Sequence, residues 1–402
     1  MKKGQENQTN QIGMETNEMR NELIFNGDRL KKARIYRGLT VAELAEQLEC
    51  QRQTVSMYEN KKIDKPDASA IQKMSDVLNF PTKFFYEQDR SFNVGSTYFR
   101  ALLTTNKKYR NEQIQKMEFV SAIYAFIKEY IDFPEINLPL TTDSTSPEEA
   151  ADLLREKWEL GKRPIENLIF ETEQRGIVIT SFETSTDNID AFSQMIDVDG
   201  DSVYTIGYSN NKTSAARLHF DIAHELGHIC MHEWSEDIEM LSKEEFKERE
   251  NEANRFASAF LLPKDTFYLD VMQRPTSIPY YIELKRKWKV SMAAMIRRAH
   301  TLKLLSYDEY QMMMRTLQRR GMRKEEPLDD VLTTAQPSLL KTAVQMLLDE
   351  KVFTPKEFMD ELSFSYNMSL NSSEVEYLLG LPEGTLKINN VIPIHNLNFR
   401  KD

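Results

Sequence analysis

Four of the six histidines in this chain fall within residues 219–232, HFDIAHELGHICMH. His224 and His228 are four positions apart, so on an α-helix their rings project from the same face. Two imidazoles placed in this way can share one Zn²⁺ ion at about 2.0–2.1 Å. Glu225 follows about 100° around the helix, where a carboxylate is better placed to take a proton than to bind the metal. The segment therefore predicts a helix that carries an H-E-x-x-H metal site.

A catalytic zinc site also needs a third protein ligand and an open coordination position. The next predicted helix, 243–262, offers Glu250, which follows His228 by 22 residues. Asn254 lies one turn later on the same face, where it could orient a ligating histidine. Gly227 costs about 0.8–1.0 kcal/mol inside a helix, which indicates that another backbone passes close to the metal face. We interpret the cluster as a metal site, not as helix-face histidines satisfied by hydrogen bonds.

The composition limits which classes of protein the chain can belong to. Forty per cent of its 402 residues are hydrophobic, but no apolar run reaches the roughly 18 residues of a membrane span, so we expect no membrane partner. Two cysteines are too few for a disulfide framework and are typical of a reducing cytosol, so we expect a cytoplasmic protein. The net charge of −11 argues against a uniformly basic nucleic-acid binder, although single domains can differ.

The hydrophobic pattern predicts a multi-domain chain with five parts. A flexible arm at 1–24 precedes an all-α domain at 25–88, where short amphipathic helices alternate with tight turns. Residues 89–160 read as a mainly helical connector. GIVIT, AFSQMID and VYTIGY then predict a small antiparallel sheet, which with the helices that follow makes 161–327 an α+β domain. Residues 328–402 are predicted to be a helical C-terminal region of unknown role.

The N-terminal domain contains LTVAELAEQLECQRQTVSMYENKKIDKP, which resembles the helix-turn-helix of phage-repressor-like (XRE) DNA-binding domains. Thr40 and Glu43 form a capping-box pattern at the start of the first helix of the pair. The resemblance implies that the second helix faces double-stranded DNA. The predicted contacts are Gln51, Arg52, Gln53 and Ser56 at base edges, and Lys61 and Lys62, with Lys31, Lys32 and Arg34, at phosphates.

The charge of this region agrees with DNA binding, although it leaves a second interpretation open. Residues 28–65 contain nine Lys or Arg against six Asp or Glu. Lys61 stands where the XRE family usually has glycine, so the turn after the second helix is less permissive here. The alternative is a helical module that has lost DNA binding and pairs with the helix-turn-helix of a partner protein, or docks a toxin or antitoxin.

RLHFDIAHELGHICMH, followed by ERENEANRFASAFLLP, resembles the ImmA/IrrE family of zinc endopeptidases. The likeness covers about residues 160–327 and implies a zincin-like fold with a gluzincin-type site. It implies zinc ligands at His224, His228 and Glu250, with Glu225 as the catalytic general base. Glu252 ranks second as the acidic ligand because it points off the metal face. His232 is expected to pack or to form hydrogen bonds nearby.

These features predict a zinc metallo-endopeptidase that cleaves a helix-turn-helix repressor of a phage, a mobile element or a stress response. Its own N-terminal domain would bind DNA, and a homodimer is compatible with this architecture. A substrate strand could add to the sheet along 203–208. The alternative is a DNA-binding transcriptional regulator whose zinc site is structural or sensory and cuts no bond. Glu225 separates the two, because a structural zinc site needs no glutamate beside its first ligand.

Overall fold

The computed structural model describes residues 24–88, 93–99, 107–183, 191–198, 200–210, 214–234 and 240–387, and for 93–99 it describes the backbone alone. The chain divides into two compact units, Met1–Asp89 and Arg90–Asp402. Almost all of the predicted N-terminal arm, 1–24, lies outside the described residues. Among the described helices, none is long and apolar enough to cross a membrane.

The first unit is made of short helices: α1 (Gly27–Tyr36), α2 (Val41–Gln47), α3 (Arg52–Glu59), α4 (Ala68–Leu78) and a 3₁₀ helix (Thr82–Tyr86). The side chain of Thr40 accepts from the backbone N–H of Glu43, and the Glu43 carboxylate accepts from the N–H of Thr40, which is the predicted capping box. Leu30, Leu44 and Val55 are fully buried between the helices. The prediction of an all-α helix-turn-helix domain is confirmed.

Two backbone features fix the second helix of the pair. A Cβ added at Gly27 would lie 2.1 Å from the carbonyl oxygen of Tyr58, so only glycine lets α1 approach α3 this closely. The turn after α3 passes through Lys61 with φ +58°, the left-handed region that favours glycine. The lysine at the usual glycine position is therefore accommodated with some backbone strain.

The second unit contains four strands: β1 (Asn93–Phe99), β2 (Val178–Phe182), β3 (Ala191–Val198) and β4 (Asp201–Ser209). They form one sheet in the order β1-β3-β4-β2. β3 is antiparallel to β1 and β4, but β4 runs parallel to β2. The sheet is therefore mixed, and the expectation that it is wholly antiparallel is wrong for this pair. The tight β3–β4 hairpin returns the chain in the direction of β2, which makes the pair parallel.

The same topology overturns the expected docking of a substrate strand along 203–208. From Thr205 to Tyr208, β4 is paired with β3 on one side and with β2 on the other. An inner strand has no free N–H and C=O groups with which to pair another chain. β1 was also not expected, because it lies in the connector that was predicted to be mainly helical.

The described helices of the second unit are α5 (Lys107–Lys128), α6 (Pro147–Lys157), α7 (Leu168–Glu173), α8 (Ala215–Met231), α9 (Lys243–Leu261), α10 (Lys264–Val271), α11 (Ile278–Trp288), α12 (Met292–Thr301), α13 (Tyr307–Arg319), α14 (Leu339–Asp349), α15 (Pro355–Ser365) and α16 (Ser372–Leu379). α14 and α16 pack against α5 and β2. Tyr366 donates a hydrogen bond to Glu129, which also ties the C-terminal helices to α5. The α+β class and the helical C-terminal region are confirmed.

Candidate metal centre

The centre is built on α8 and α9, which lie against each other. Ser214 caps the N-terminus of α8, and a capping box of Ser242 and Glu245 begins α9. A Cβ on Gly227 would lie 3.0 Å from Cα of Ala253 and 3.1 Å from the ring of Phe256. The two helices therefore touch at backbone distance, as the glycine in the motif predicted. This close approach places α9 within reach of the histidines of α8.

Three side chains from these helices converge on one point. Nε2 of His224 and Nε2 of His228 are 3.1 Å apart. The carboxylate of Glu250 lies 3.4 Å from the first of these nitrogens and 3.2 Å from the second. Ligands at 2.0–2.1 Å from a tetrahedral ion are separated by about 3.3–3.4 Å. The triad therefore has the size and the donor set that a zinc ion requires.

The protonation states also suit a metal. His224 and His228 are at most 1% exposed, and burial lowers the pKa of His228 to about 4, so its ring is neutral at pH 7. Burial raises the pKa of Glu250, but the two imidazoles lower it by more, and the net pKa lies well below its usual range. Metal ligands must be neutral imidazoles and ionised carboxylates, and these are the forms that the site favours.

Glu225 contacts the sheet. It is 1% exposed, and its Oε2 accepts a 2.5 Å hydrogen bond from the hydroxyl of Ser193 on β3. The carboxylate therefore follows a candidate metal ligand in the sequence and is held by a residue of the sheet. The sequence did not point to Ser193, because nothing in β3 indicates which of its residues faces α8.

The other polar residues of the two helices make contacts around the triad. The amide of Asn254 donates a 2.7 Å hydrogen bond to the carbonyl oxygen of Glu250, so it contacts the backbone of that residue. Nδ1 of His232 lies 2.9 Å from Nδ1 of His228, and Nε2 of His232 lies 3.1 Å from Glu252. Burial and then the charge of His228 lower the pKa of His232 to about 3. Glu252 therefore contacts a histidine outside the triad.

A cleft of about 840 Å³ begins one helical turn from the triad, because Asp221 and Asn254 line it and lie one turn from His224 and Glu250. Five arginines and three carboxylates line it: Arg217, Arg255, Arg297, Arg298, Arg323, Glu148, Asp221 and Glu248. Glu148 accepts two hydrogen bonds from Arg298, at 2.7 and 2.5 Å. Arg255 lies 3.5 Å from Glu248. These pairs leave the cleft with an excess of positive charge beside the candidate metal centre.

Comparison with known families agrees with this geometry. Residues 172–300 match the family model of peptidase M78, the IrrE N-terminal-like domain. Residues 30–85 match a helix-turn-helix model, so an XRE-type domain precedes the IrrE-like, metallopeptidase-like domain in one chain. No curated protein matches the chain.

The helix-turn-helix unit exposes most of the predicted DNA contacts. Gln51, Arg52 and Gln53 are exposed at the start of α3, Ser56 is half-buried, and Lys61 and Lys62 are exposed after it. Lys61 forms a 2.6 Å ion pair with Asp28. Arg34 is buried and donates to both carboxylate oxygens of Glu59, at 2.5 and 3.0 Å. The expectation that Arg34 contacts phosphate is therefore wrong, because its guanidinium is used inside the domain.

The two cysteines are free thiols. Cys50 lies in the turn between α2 and α3, and Cys230 is buried near the end of α8. Burial raises the pKa of Cys230, and a thiol that stays protonated is a poor nucleophile. Cys230 is therefore interpreted as a core residue, although it lies two positions from His228.

Proposed function

We propose that the IrrE-like domain is a zinc-dependent endopeptidase that cleaves a helix-turn-helix transcriptional repressor, and that the N-terminal unit binds double-stranded DNA. The main support is one arrangement. Two histidines and a glutamate converge within 3.1–3.4 Å, and the next residue of α8, Glu225, is held beside them by Ser193. The match of residues 172–300 to a peptidase family model supports the same chemistry.

In this proposal each residue of the centre has one role. His224, His228 and Glu250 hold the zinc ion, which when bound would polarise the scissile carbonyl and favour ionisation of water. Glu225 takes a proton from the attacking water and later gives it to the leaving amine. Ser193 holds this carboxylate in a buried position, which fixes its orientation before a substrate binds. The cleft beside the triad provides space for the peptide on one side of the cut bond.

The target class follows from the two domains taken together. ImmA/IrrE-like peptidases are expected to cut helix-turn-helix repressors, and this chain carries a helix-turn-helix domain of its own. Two proteins that bind neighbouring DNA sites raise each other's local concentration. We propose that DNA binding brings the peptidase to its repressor.

Identification of new protein N-termini tests the peptidase proposal. The full chain, its Glu225→Gln variant and the chelated wild type are each added to a lysate of the source organism. We expect new N-termini inside a helix-turn-helix protein with wild type alone. If wild type cuts nothing, while zinc alters only its affinity for DNA, the chain is a regulator with a structural or sensory metal.

Salt-dependent binding to a labelled duplex tests the DNA proposal with the full chain. We expect the affinity to fall steeply with salt, because binding to phosphates releases counterions. Lys62→Ala should reduce the salt slope by about one, whereas Lys73→Ala, a lysine on α4 that pairs with Glu49, should leave it unchanged. Binding that is absent or independent of salt would favour a protein–protein module. Sedimentation of the free and DNA-bound chain tests the proposed homodimer.

A further inference from the structure

A chain of polar contacts leads away from the triad on the side opposite the expected metal. Nδ1 of His228 lies 2.9 Å from Nδ1 of His232, and Nε2 of His232 lies 3.1 Å from Oε2 of Glu252. His228 and His232 have side chains that are 1% and 5% exposed, and the Glu252 side chain is 30% exposed. The contacts therefore run from a partly exposed carboxylate in the middle of α9 to a buried ring of the candidate centre.

The donor and the acceptor of each contact in this series can be assigned by starting from Glu252. An ionised carboxylate only accepts hydrogen bonds, so Nε2 of His232 carries the proton that faces Glu252. A neutral imidazole has one N–H, so Nδ1 of His232 is an acceptor. With a metal ion bound between Nε2 of His228 and the Glu250 carboxylate, which are 3.2 Å apart, Nδ1 of His228 is then the donor. Nε2 of His228, which is 3.1 Å from Nε2 of His224, provides the lone pair that a metal ligand needs.

We propose that Glu252 and His232 are positioning residues that fix the Nδ1–H tautomer and the ring orientation of His228, so that its Nε2 is presented to a zinc ion. The proposal rests on the metal centre of the proposed function. Glu252, which the sequence ranked second as the acidic zinc ligand, is here a residue that orients a ligand. Outer carboxylates that orient a ligating histidine contribute roughly 10–100-fold to metal affinity.

The geometry separates this role from direct ligation by His232. Nδ1 and Nε2 lie on different sides of an imidazole ring. His232 faces His228 through Nδ1 and Glu252 through Nε2, so both of its nitrogens are in use. It also approaches His228 at Nδ1, whereas the triad meets at the Nε2 atom of that ring. His232 therefore contacts the side of the His228 ring that faces away from the triad.

Zinc affinity by chelator competition, with no peptide present, provides the first test. We expect His232→Phe and Glu252→Ala each to weaken zinc binding about 10–100-fold. His232→Gln should retain most of the affinity, because its amide can accept from His228 and donate to Glu252. Glu248→Gln is the control, a carboxylate on the same helix that pairs with Arg255. Unchanged affinity in His232→Phe and Glu252→Ala would overturn the proposal.

The tautomer of His228 provides a second, independent readout. In ¹⁵N–¹H spectra of the zinc-loaded full chain we expect the proton of His228 on Nδ1 and in slow exchange with solvent, and Glu252→Gln should speed this exchange without unfolding the protein. A wild-type spectrum with the proton on Nε2 would overturn the proposal. Failure of the proposed function gives a different result. If the protein binds zinc with the help of Glu252 and His232 but cuts no protein, the positioning role stands and the peptidase role does not.

Discussion

Ser193 donates its hydroxyl hydrogen to the carboxylate of Glu225 across the interface between β3 and α8, at 2.5 Å. Ser193 is completely buried and Glu225 is 1% exposed, so water does not compete for this contact. Ser193 lies opposite Ile206 of β4 and opposite Tyr98 of β1. The sheet therefore holds the proposed general base, while α9 supplies the proposed acidic ligand, Glu250.

Ser193→Ala should lower kcat without a matching change in KM or zinc affinity. The variant removes the hydroxyl that donates to the Glu225 carboxylate. A loss of about one hydrogen bond to a charged group, 1.5–3 kcal/mol, corresponds to roughly 10–100-fold in rate. Steady-state cleavage of the identified substrate measures it. Ser202→Ala, in the exposed start of β4, is the control. A wild-type kcat in Ser193→Ala would show that the contact has no catalytic effect.

Gly227→Val should separate α8 from α9 and weaken zinc binding. Any Cβ at this position lies about 3.0 Å from the Cα of Ala253, and a branched side chain adds further crowding. Overpacking of this kind costs about 1–3 kcal/mol, and the shift moves Glu250 away from the histidines. Gly227→Ala is the graded comparison, because alanine gains up to about 1 kcal/mol of helix propensity. Chelator competition and urea unfolding measure both effects, and full zinc affinity in Gly227→Val would contradict the prediction.

The sequence predicted the parts of the centre that depend on helical periodicity. The spacing of His224 and His228 required a shared face, and the glycine between them predicted the approach of α9. Contacts between distant segments were not predictable in the same way. Ser193 contacts Glu225 only because β3 packs against α8. Arg34 pairs with Glu59, and so is not available for phosphate, only because α1 packs on α3.

β1 shows why a strand can be missed from local pattern alone. Its residues, NVGSTYF, contain a glycine and lie in the connector that was predicted to be mainly helical. The strand exists by pairing with β3 about a hundred residues later, with a register shift between Val94 and Thr97. Strand propensity reflects packing on neighbouring strands more than the residues themselves. The direction of the β2–β4 pair depends on the hairpin that follows, which no single strand encodes.

Lys285→Met should destabilise the second unit by about 3–5 kcal/mol. The ammonium group is fully buried and lies 2.8 Å from Glu326 and 2.6 Å from Asp329. Removing one partner of a buried ion pair leaves uncompensated charge. Lys287 lies two residues away, and its half-exposed side chain pairs with Asp270. Lys287→Met should change the free energy of unfolding by at most about 1 kcal/mol. Urea unfolding of both variants measures the difference, and equal losses of stability would contradict a special role for the buried Lys285 pair.

Acid should destabilise the metal-free protein partly through His219. Burial, and then the charge of Lys289, lowers the pKa of His219 from 6.5 to about 4. Between these values the unfolded chain binds more protons than the folded one, so the stability present above pH 6.5 is lost as the pH falls towards 4. His219 alone contributes about 2 kcal/mol to the loss between pH 7 and 5. Urea unfolding with chelator should show a smaller loss for His219→Gln, and an equal loss would refute the assignment.

The charge of the cleft predicts a preference for acidic peptides. Because the cleft begins one turn from the triad, side chains a few positions from the cut bond should enter it. Arg298 and Arg255 lie beside Glu148 and Glu248, whereas Arg297 and Arg323 are exposed on its wall. An aspartate or glutamate in the substrate should therefore lower KM, and the effect should weaken with salt because exposed charges are screened.

Replacing the exposed arginines should remove this preference. Arg297→Gln with Arg323→Gln should raise KM for an acidic peptide several-fold and leave a neutral peptide of the same length unchanged. Arg315→Gln, an exposed arginine on α13 outside the cleft lining, serves as the matched control. Binding of a fluorescent acidic peptide to the Glu225→Gln variant reads the same preference without catalysis. If acidic and neutral peptides bind equally, the positive charge serves the stability of the fold and does not select the substrate.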